Sequence, residues 1–273
     1  MPNMRDAPLS QSYLLVGPGG SGKTTQFKTM PGRKFAWVFD PNAFAALSGL
    51  DIEYFDGVPD AVGRSVEAGA IGVGIDTSVE VYNRLWLDMR QRLKDGFFAG
   101  IDSLLIDGLT GLASVIEEYV LSAILRKPGG EIVKREAMYI HKELQRFLRQ
   151  VAALNKNLLL CAHRDTIMDP SGTKMAGAQI SVIGQSRVKV PIHFANVLYT
   201  VAEGGTKETV YSAFTKPSAL TGDPRMSDAL SHLPFKIDMT IRDFAHPENY
   251  GIGWLITESK KRKAEANGPL PTA

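Results

Sequence analysis

Short apolar runs alternate along the chain with stretches in which apolar residues recur every three or four positions. That alternation predicts strands interleaved with helices, and so a largely parallel α/β sheet. The first strand is read at residues 13–17, YLLVG; a glycine-rich loop and a helix through about Met30 follow, broken by Pro31-Gly32. KFAWVFD, residues 34–40, is the second strand, stopped by Pro41. Residues 56–76 are rich in Gly and Ala and are expected to be irregular or an insertion. Thr77 and Glu80 stand at capping-box spacing ahead of Val81, Leu85, Met89 and Leu93, which predicts a helix to about Lys94.

SLLID, Ser103–Asp107, is the next strand, with a helix over 109–125 after it. The loop RKPGGEIVKR leads to a longer helix whose Ile140, Leu144, Phe147, Val151 and Leu154 share one face. NLLLCAH, residues 157–163, is a buried strand. Residues 164–191, with Gly172, Gly177 and Gly184, read as one long polar loop, and loops of that length are usually functional. ANVLYTVAE and KETVYSAFT form an antiparallel pair around Gly204-Gly205, and YGIGWLI reads as a last strand. The expected layout is one domain over residues 1–257 and a basic, disordered tail over 258–273.

Composition narrows the class. With 44% hydrophobic residues the chain can bury a core, and 31 basic against 29 acidic residues leave no global pull on a polyanion, so such a site must be local. One cysteine, Cys161, excludes an internal disulfide and fits a reducing compartment. The segment MPNMRDAPLSQS lacks a run of signal-peptide length, and no 18 consecutive residues are apolar. A soluble cytoplasmic protein with no membrane partner is expected.

The chemistry begins at GPGGSGKTT. Gly17, four further residues and Gly22-Lys23-Thr24 match the P-loop in full, between a strand and a helix as the mechanism requires. Backbone amides of Gly17, Pro18, Gly19, Gly20, Ser21, Gly22, Lys23, Thr24 and Thr25 (proline lending only its turn) are expected to enclose the phosphates of ATP. Lys23 should reach the β- and γ-phosphates, and the Thr24 hydroxyl should bind Mg²⁺. Asp107 ends an apolar strand, where its carboxylate can serve the same ion.

These pieces in order are GPGGSGKTT, FAWVFDPN, SLLIDGLTGL, LLLCAHRD, VPIHFANVLYTV and FTKPSALTGDPRMSDALSHLP. Over residues 13 to about 235 the layout resembles RecA-like P-loop ATPases, in particular the short single-strand annealing ATPases encoded by many bacteriophages. It departs from classical AAA-type ATPases, which carry Glu directly after the strand-ending Asp; here that residue is Gly108. The resemblance implies a RecA-like domain with a mostly parallel central sheet flanked by helices and an antiparallel C-terminal extension. It implies ATP hydrolysis with Mg²⁺, binding of single-stranded DNA in recombination or annealing, a homo-oligomeric ring or filament, a single-strand DNA-binding protein as companion and, if phage-encoded, the host cytoplasm.

In RecA-like enzymes a Glu just past the second strand polarises the attacking water. Here the run is Asp40-Pro41-Asn42, and Asn42 cannot accept a proton, so Asp40 takes that role or hydrolysis is slow. His163 falls where the family carries a polar γ-phosphate sensor. Arg225 falls where the family has a basic pair that reaches a neighbour's γ-phosphate; Asp223 departs from the pair, and Lys216 is a second candidate. For the nucleobase, Phe44 and Tyr54 are in range.

Three segments offer cations to DNA. Arg126, Lys127, Lys134 and Arg135 flank Glu131; Arg164, Lys174, Arg187 and Lys189 lie in the long loop; Lys260, Lys261, Arg262 and Lys263 lie in the tail. The resemblance favours the first two, with the amides of Gly172 and Gly177 binding phosphates without reading sequence. A P-loop kinase or small-molecule NTPase, and a nucleotide-switched assembly protein with little hydrolysis, stand as alternatives.

Overall fold

The computed structural model describes residues 10–59, 77–125, 132–169, 171–172, 175–204, 208–218 and 223–266. Strand β1 (Ser12–Gly17) leads into the glycine loop and a six-residue 3-10 segment, Thr24–Thr29, at the place of the helix expected through about Met30. Then come β2 (Lys34–Val38), α1 (Ala43–Leu47) and β3 (Glu53–Asp56); β3 was not anticipated, and residues 60–76 of the expected insertion lie outside the described residues. Helix α2 (Ser78–Lys94) starts at the anticipated capping box: Thr77 Oγ1 accepts from the Glu80 amide at 3.3 Å, and Glu80 Oε2 accepts from the Thr77 amide at 2.7 Å.

Strand β4 (Ser103–Asp107) precedes α3 (Leu109–Tyr119), which runs on as a π turn, Val120–Ile124; α4 (Lys134–Ala153) buries Ile140, Leu144, Phe147 and Val151, as their spacing predicts. Strand β5 (Asn157–Met168) is longer than expected. It turns back into β6 (Met175–Ile180), so much of the anticipated loop is a hairpin. The short helix α5 (Ser186–Lys189) and a 3-10 turn, Pro191–His193, lead to β7 (Asn196–Gly204), β8 (Thr209–Phe214) and β9 (Lys236–Asp238).

The expected strand YGIGWLI is instead the start of a helix, α6 (Gly251–Ala266). Ile252, Leu255, Ile256 and Ser259 are buried at spacings of three and four, so the apolar stripe is helical. The expected boundary at residue 257 therefore falls inside α6, and residues 258–266 are ordered helix rather than a loose tail.

The strands form one sheet in the order β3-β2-β4-β5-β1-β7-β8-β9, with β6 on β5. Pairs from β3 to β7 are parallel; β8 and β9 add an antiparallel extension, and the fold class expected from the sequence is the one observed. Alternate residues feed two cores. Leu14, Val16, Phe35 and Trp37 face α2, α3 and α4, while Tyr13, Leu15, Ala36 and Val38 face the 3-10 segment, α1 and α6. Burial on both faces explains why these strands read as continuous apolar runs. The register Gly17↔His163, Asp107↔Cys161 and Val38↔Asp107 brings four strand ends to one edge. Among the described residues, no helix is long and apolar enough to cross a membrane.

Candidate functional site

At that edge lies a cavity of about 520 Å³, of a size that suits a small-molecule ligand. Residues 19–25 of the glycine loop form one wall; Asp40, Asp107 and His163 form another. The loop turns through positive φ at Gly20 (72°) and Gly22 (76°), which glycine adopts without cost. A methyl group added at Gly19 or Gly20 would meet nothing within 4 Å, so space remains over the loop for phosphate oxygens.

Lys23 is buried, and its ammonium donates to Gly17 O at 3.0 Å and Pro18 O at 2.7 Å. Burial lowers its pKa; the nearby Cys161, Asp107 and Asp40 oppose that shift. Thr24 Oγ1 donates to Asp107 Oδ2 at 2.9 Å, which joins the two expected metal ligands directly. Burial pushes Asp107 up to about 6, against the hydrogen bond from Thr24. Beside it on β5 the Cys161 thiol is fully buried and pushed well above its usual range, so it is not a reactive thiolate.

The residues fit a nucleoside triphosphate with Mg²⁺: open glycine backbone, one ammonium, one hydroxyl and one carboxylate. Among the described residues no cluster of three or more His, Cys, Asp or Glu could hold a metal by itself. Magnesium needs none, because it takes one or two protein oxygens and completes its shell with phosphates and water.

Gly108 explains the departure from the acidic pair. Its φ is +92°, and an added Cβ would lie 2.9 Å from the Asp40 amide nitrogen and 3.0 Å from the Phe39 carbonyl carbon. Those contacts are backbone, so no glutamate fits at this position. Asp40, just beyond β2, lines the cavity beside it. The Asn42 amide and its Nδ2 both donate to Asp40 Oδ1, at 2.9 and 3.0 Å, while Oδ2 faces His163 Nε2 at 3.5 Å. Asn42 thus orients Asp40 itself.

Two supports of the loop were not foreseen. Ser21 Oγ shares a hydrogen bond with Thr200 Oγ1 of β7 at 2.8 Å, and the Tyr211 ring of β8 packs so closely on Gly22 that a Cβ there would come within 2.8 Å of it. Tyr211 also lines the cavity, whereas the expected base contacts, Phe44 and Tyr54, do not; their rings pack together at 5.5 Å. Only the tertiary placement of the β7–β8 hairpin reveals this pair.

Arg225 turns back on its own chain. Its Nη2 donates to Phe194 O at 3.2 Å and to Pro191 O, clamping the turn before β7. Lys216 is exposed and does not line the cavity.

Of the expected DNA contacts, Lys134 and Arg135 are exposed at the start of α4 and Lys189 is exposed on α5. Arg187 spends its Nε on Val182 O at 2.7 Å, and Arg164 sits at the base of the β5–β6 hairpin opposite Ile180. Arg126, Lys127, Glu131 and Lys174 lie outside the described residues. The Gly172 amide donates to Asp169 O at 2.9 Å and Gly177 pairs with Ile167 within the hairpin, so neither sits in the open loop expected to cradle phosphates. In α6, Arg262 pairs with Glu258 at 2.9 Å, and Lys260 and Lys261 are exposed.

Among the solved structures similar to this chain are two from archaea. The flagellar accessory protein FlaH from Methanocaldococcus jannaschii has 10% identity and a TM-score of 0.38, with 85% of each chain covered. A KaiC-like protein from Pyrococcus horikoshii OT3 has 16% identity and a TM-score of 0.43, covering 85% of this chain and 86% of its own. No match is found among curated proteins. The family model described as an AAA domain matches residues 9–223, spanning the glycine loop and every strand that meets at the cavity, and the chain belongs to that AAA-domain family.

Proposed function

We propose that the chain is a RecA-like ATPase that binds single-stranded DNA and couples nucleotide state to DNA contact in recombination or strand annealing. The observation that carries this reading is the course of β5. Its Cys161, Ala162 and His163 line the cavity, and the same strand then continues, from Arg164 onward, into the β5–β6 hairpin. A change at the γ-phosphate end is therefore one residue away from an element that projects beyond the main sheet.

Lys23 and the loop amides would hold the phosphates, and Thr24 with Asp107 would hold Mg²⁺. When bound, that ion neutralises charge on the β- and γ-phosphate oxygens. Asp40 is the acceptor for the proton of the attacking water, held by Asn42 so that Oδ2 points toward His163. His163 then reports the state of that carboxylate to β5. Assembly into a homo-oligomer would set such sites side by side on one DNA strand.

The test is steady-state ATP turnover with and without an oligodeoxythymidylate, with Lys23→Ala as control. Turnover should rise several-fold with DNA and vanish in Lys23→Ala. Turnover that ignores DNA, in a protein that also fails to retain DNA with a non-hydrolysable ATP analogue at low salt, would remove the DNA half of the proposal and leave the ATPase half standing.

A further inference from the structure

Helix α4 carries a second pattern beside its buried stripe. Lys134, Met138, His141, Gln145 and Arg149 follow one another at spacings of four, three, four and four, so they project along one face. The two acidic residues of the helix lie on the opposite side. Glu136 is buried and accepts from the Val133 amide at 2.8 Å; Glu143 accepts from the Tyr82 hydroxyl and pairs with Arg146 at 3.3 Å.

The segment 185–194 packs against this face. His141 Nδ1 lies 3.0 Å from Ser186 Oγ, and His193 Nε2 is hydrogen-bonded to Gln145 Oε1. Lys189 projects from α5 on the same side, and Arg225 reaches the 191–194 turn from behind. Burial and the charges of Lys189, Arg149 and His193 hold His141 below its usual value; burial and Arg149 do the same for His193. Among the described residues, no carboxylate acts on either imidazole. The same segment carries two strongly exposed apolar side chains, Val188 (73%) and Ile192 (67%).

Convergent like charges work against the folded state, and they make sense where a polyanion supplies the missing sign. A flat row of cations on a helix with apolar side chains beside it suits a flexible strand, whose phosphates meet the cations while sugars and bases rest on the apolar groups. We propose that the seam between α4 and residues 185–194 is a contact surface for the phosphodiester backbone of single-stranded DNA. It rests on the DNA reading above and supplies that reading with residues the sequence did not single out: His141, Arg149 and His193. Phosphates beside the two imidazoles favour the imidazolium form, so binding takes up protons and tightens as pH falls.

Fluorescence anisotropy of a labelled thirty-nucleotide oligodeoxythymidylate tests this on the full chain, between roughly 50 and 200 mM salt, at pH 6 and pH 8, with a non-hydrolysable ATP analogue. Arg149→Ala/Lys189→Ala, both at exposed positions, should weaken binding at least about tenfold and lower the log–log salt slope by about 1.4, two contacts at roughly 0.7 each. The unaltered protein should bind several-fold tighter at pH 6 than at pH 8, and His141→Gln/His193→Gln should flatten that difference. A circular dichroism melt confirms that each variant is folded. If the unaltered protein binds DNA while Arg149→Ala/Lys189→Ala matches its affinity and slope, the seam is wrong and the DNA reading stands. If the unaltered protein binds no DNA at low salt at either pH, the DNA reading falls and takes the seam with it.

Discussion

The same one-carbon addition at two glycines should have opposite consequences. At Gly108 an alanine must adopt φ near +92°, which costs an L-residue about 1–3 kcal/mol. Its Cβ must also fit 2.9 Å from the Asp40 amide nitrogen and 3.0 Å from the Phe39 carbonyl carbon; both are backbone atoms, and relief by moving β2 adds roughly 1–3 kcal/mol. The sum, about 2–6 kcal/mol, is a large part of the 5–15 kcal/mol that holds a typical domain together. At Gly19 the added carbon meets nothing within 4 Å, so stability should stay within about 0.5 kcal/mol. There the methyl group stands in the space over the loop, and affinity for a fluorescent ATP analogue should fall at least about tenfold, roughly 1.4 kcal/mol. Urea unfolding gives the first quantity and a binding titration the second. Gly108→Ala with an unchanged midpoint, or Gly19→Ala as damaging to folding as Gly108→Ala, would refute the steric reasoning.

Asp40→Asn should leave ATP affinity within about threefold but lower turnover by about 10²–10⁴, the usual worth of a general base; equal turnover in the variant would move the base elsewhere. Asp107 binds its proton more tightly in the folded protein, at about 6, than at its ordinary 3.8. In chelator and without nucleotide, stability should therefore fall as pH rises from about 4 to about 6, by roughly 3 kcal/mol at 1.36 kcal/mol per unit, and then level off. Asp107→Asn should remove that fall, so urea midpoints of the two proteins that run parallel across this range would contradict it. Arg225→Ala should cost about 1–2 kcal/mol through its bonds to the 191–194 turn. Mixing the variant with unaltered chains should not poison ATP turnover, as loss of a group acting across an interface would.

Much of the scaffold could be read from the chain because its strands are buried on both faces. YLLVG, SLLID and NLLLCAH have no polar alternation to confuse them, and the P-loop spacing identified its own neighbours. The readings failed where apolar runs admit two periods. YGIGWLI is short enough to pass as a strand, and its helical stripe becomes clear only when Ser259 is counted as buried. The β5–β6 hairpin was hidden because its residues, such as Asp165 with Gln179 and Ile167 with Gly177, pair mainly with one another and form no apolar run. At the site, Lys23, Thr24 and Asp107 were legible from motif and strand end. The hold of Asn42 on Asp40 and the steric bar at Gly108 were not, since both depend on where β2 passes β4.

The contacts of Ser21 with Thr200 and of Gly22 with Tyr211 have a consequence for how the protein matures. In synthesis the motif itself is complete some 180 positions before the hairpin that braces it arrives. Tight ATP retention should thus be a late event in synthesis, reporting that the far edge of the sheet has docked, and fragments ending before β7 should hold nucleotide poorly.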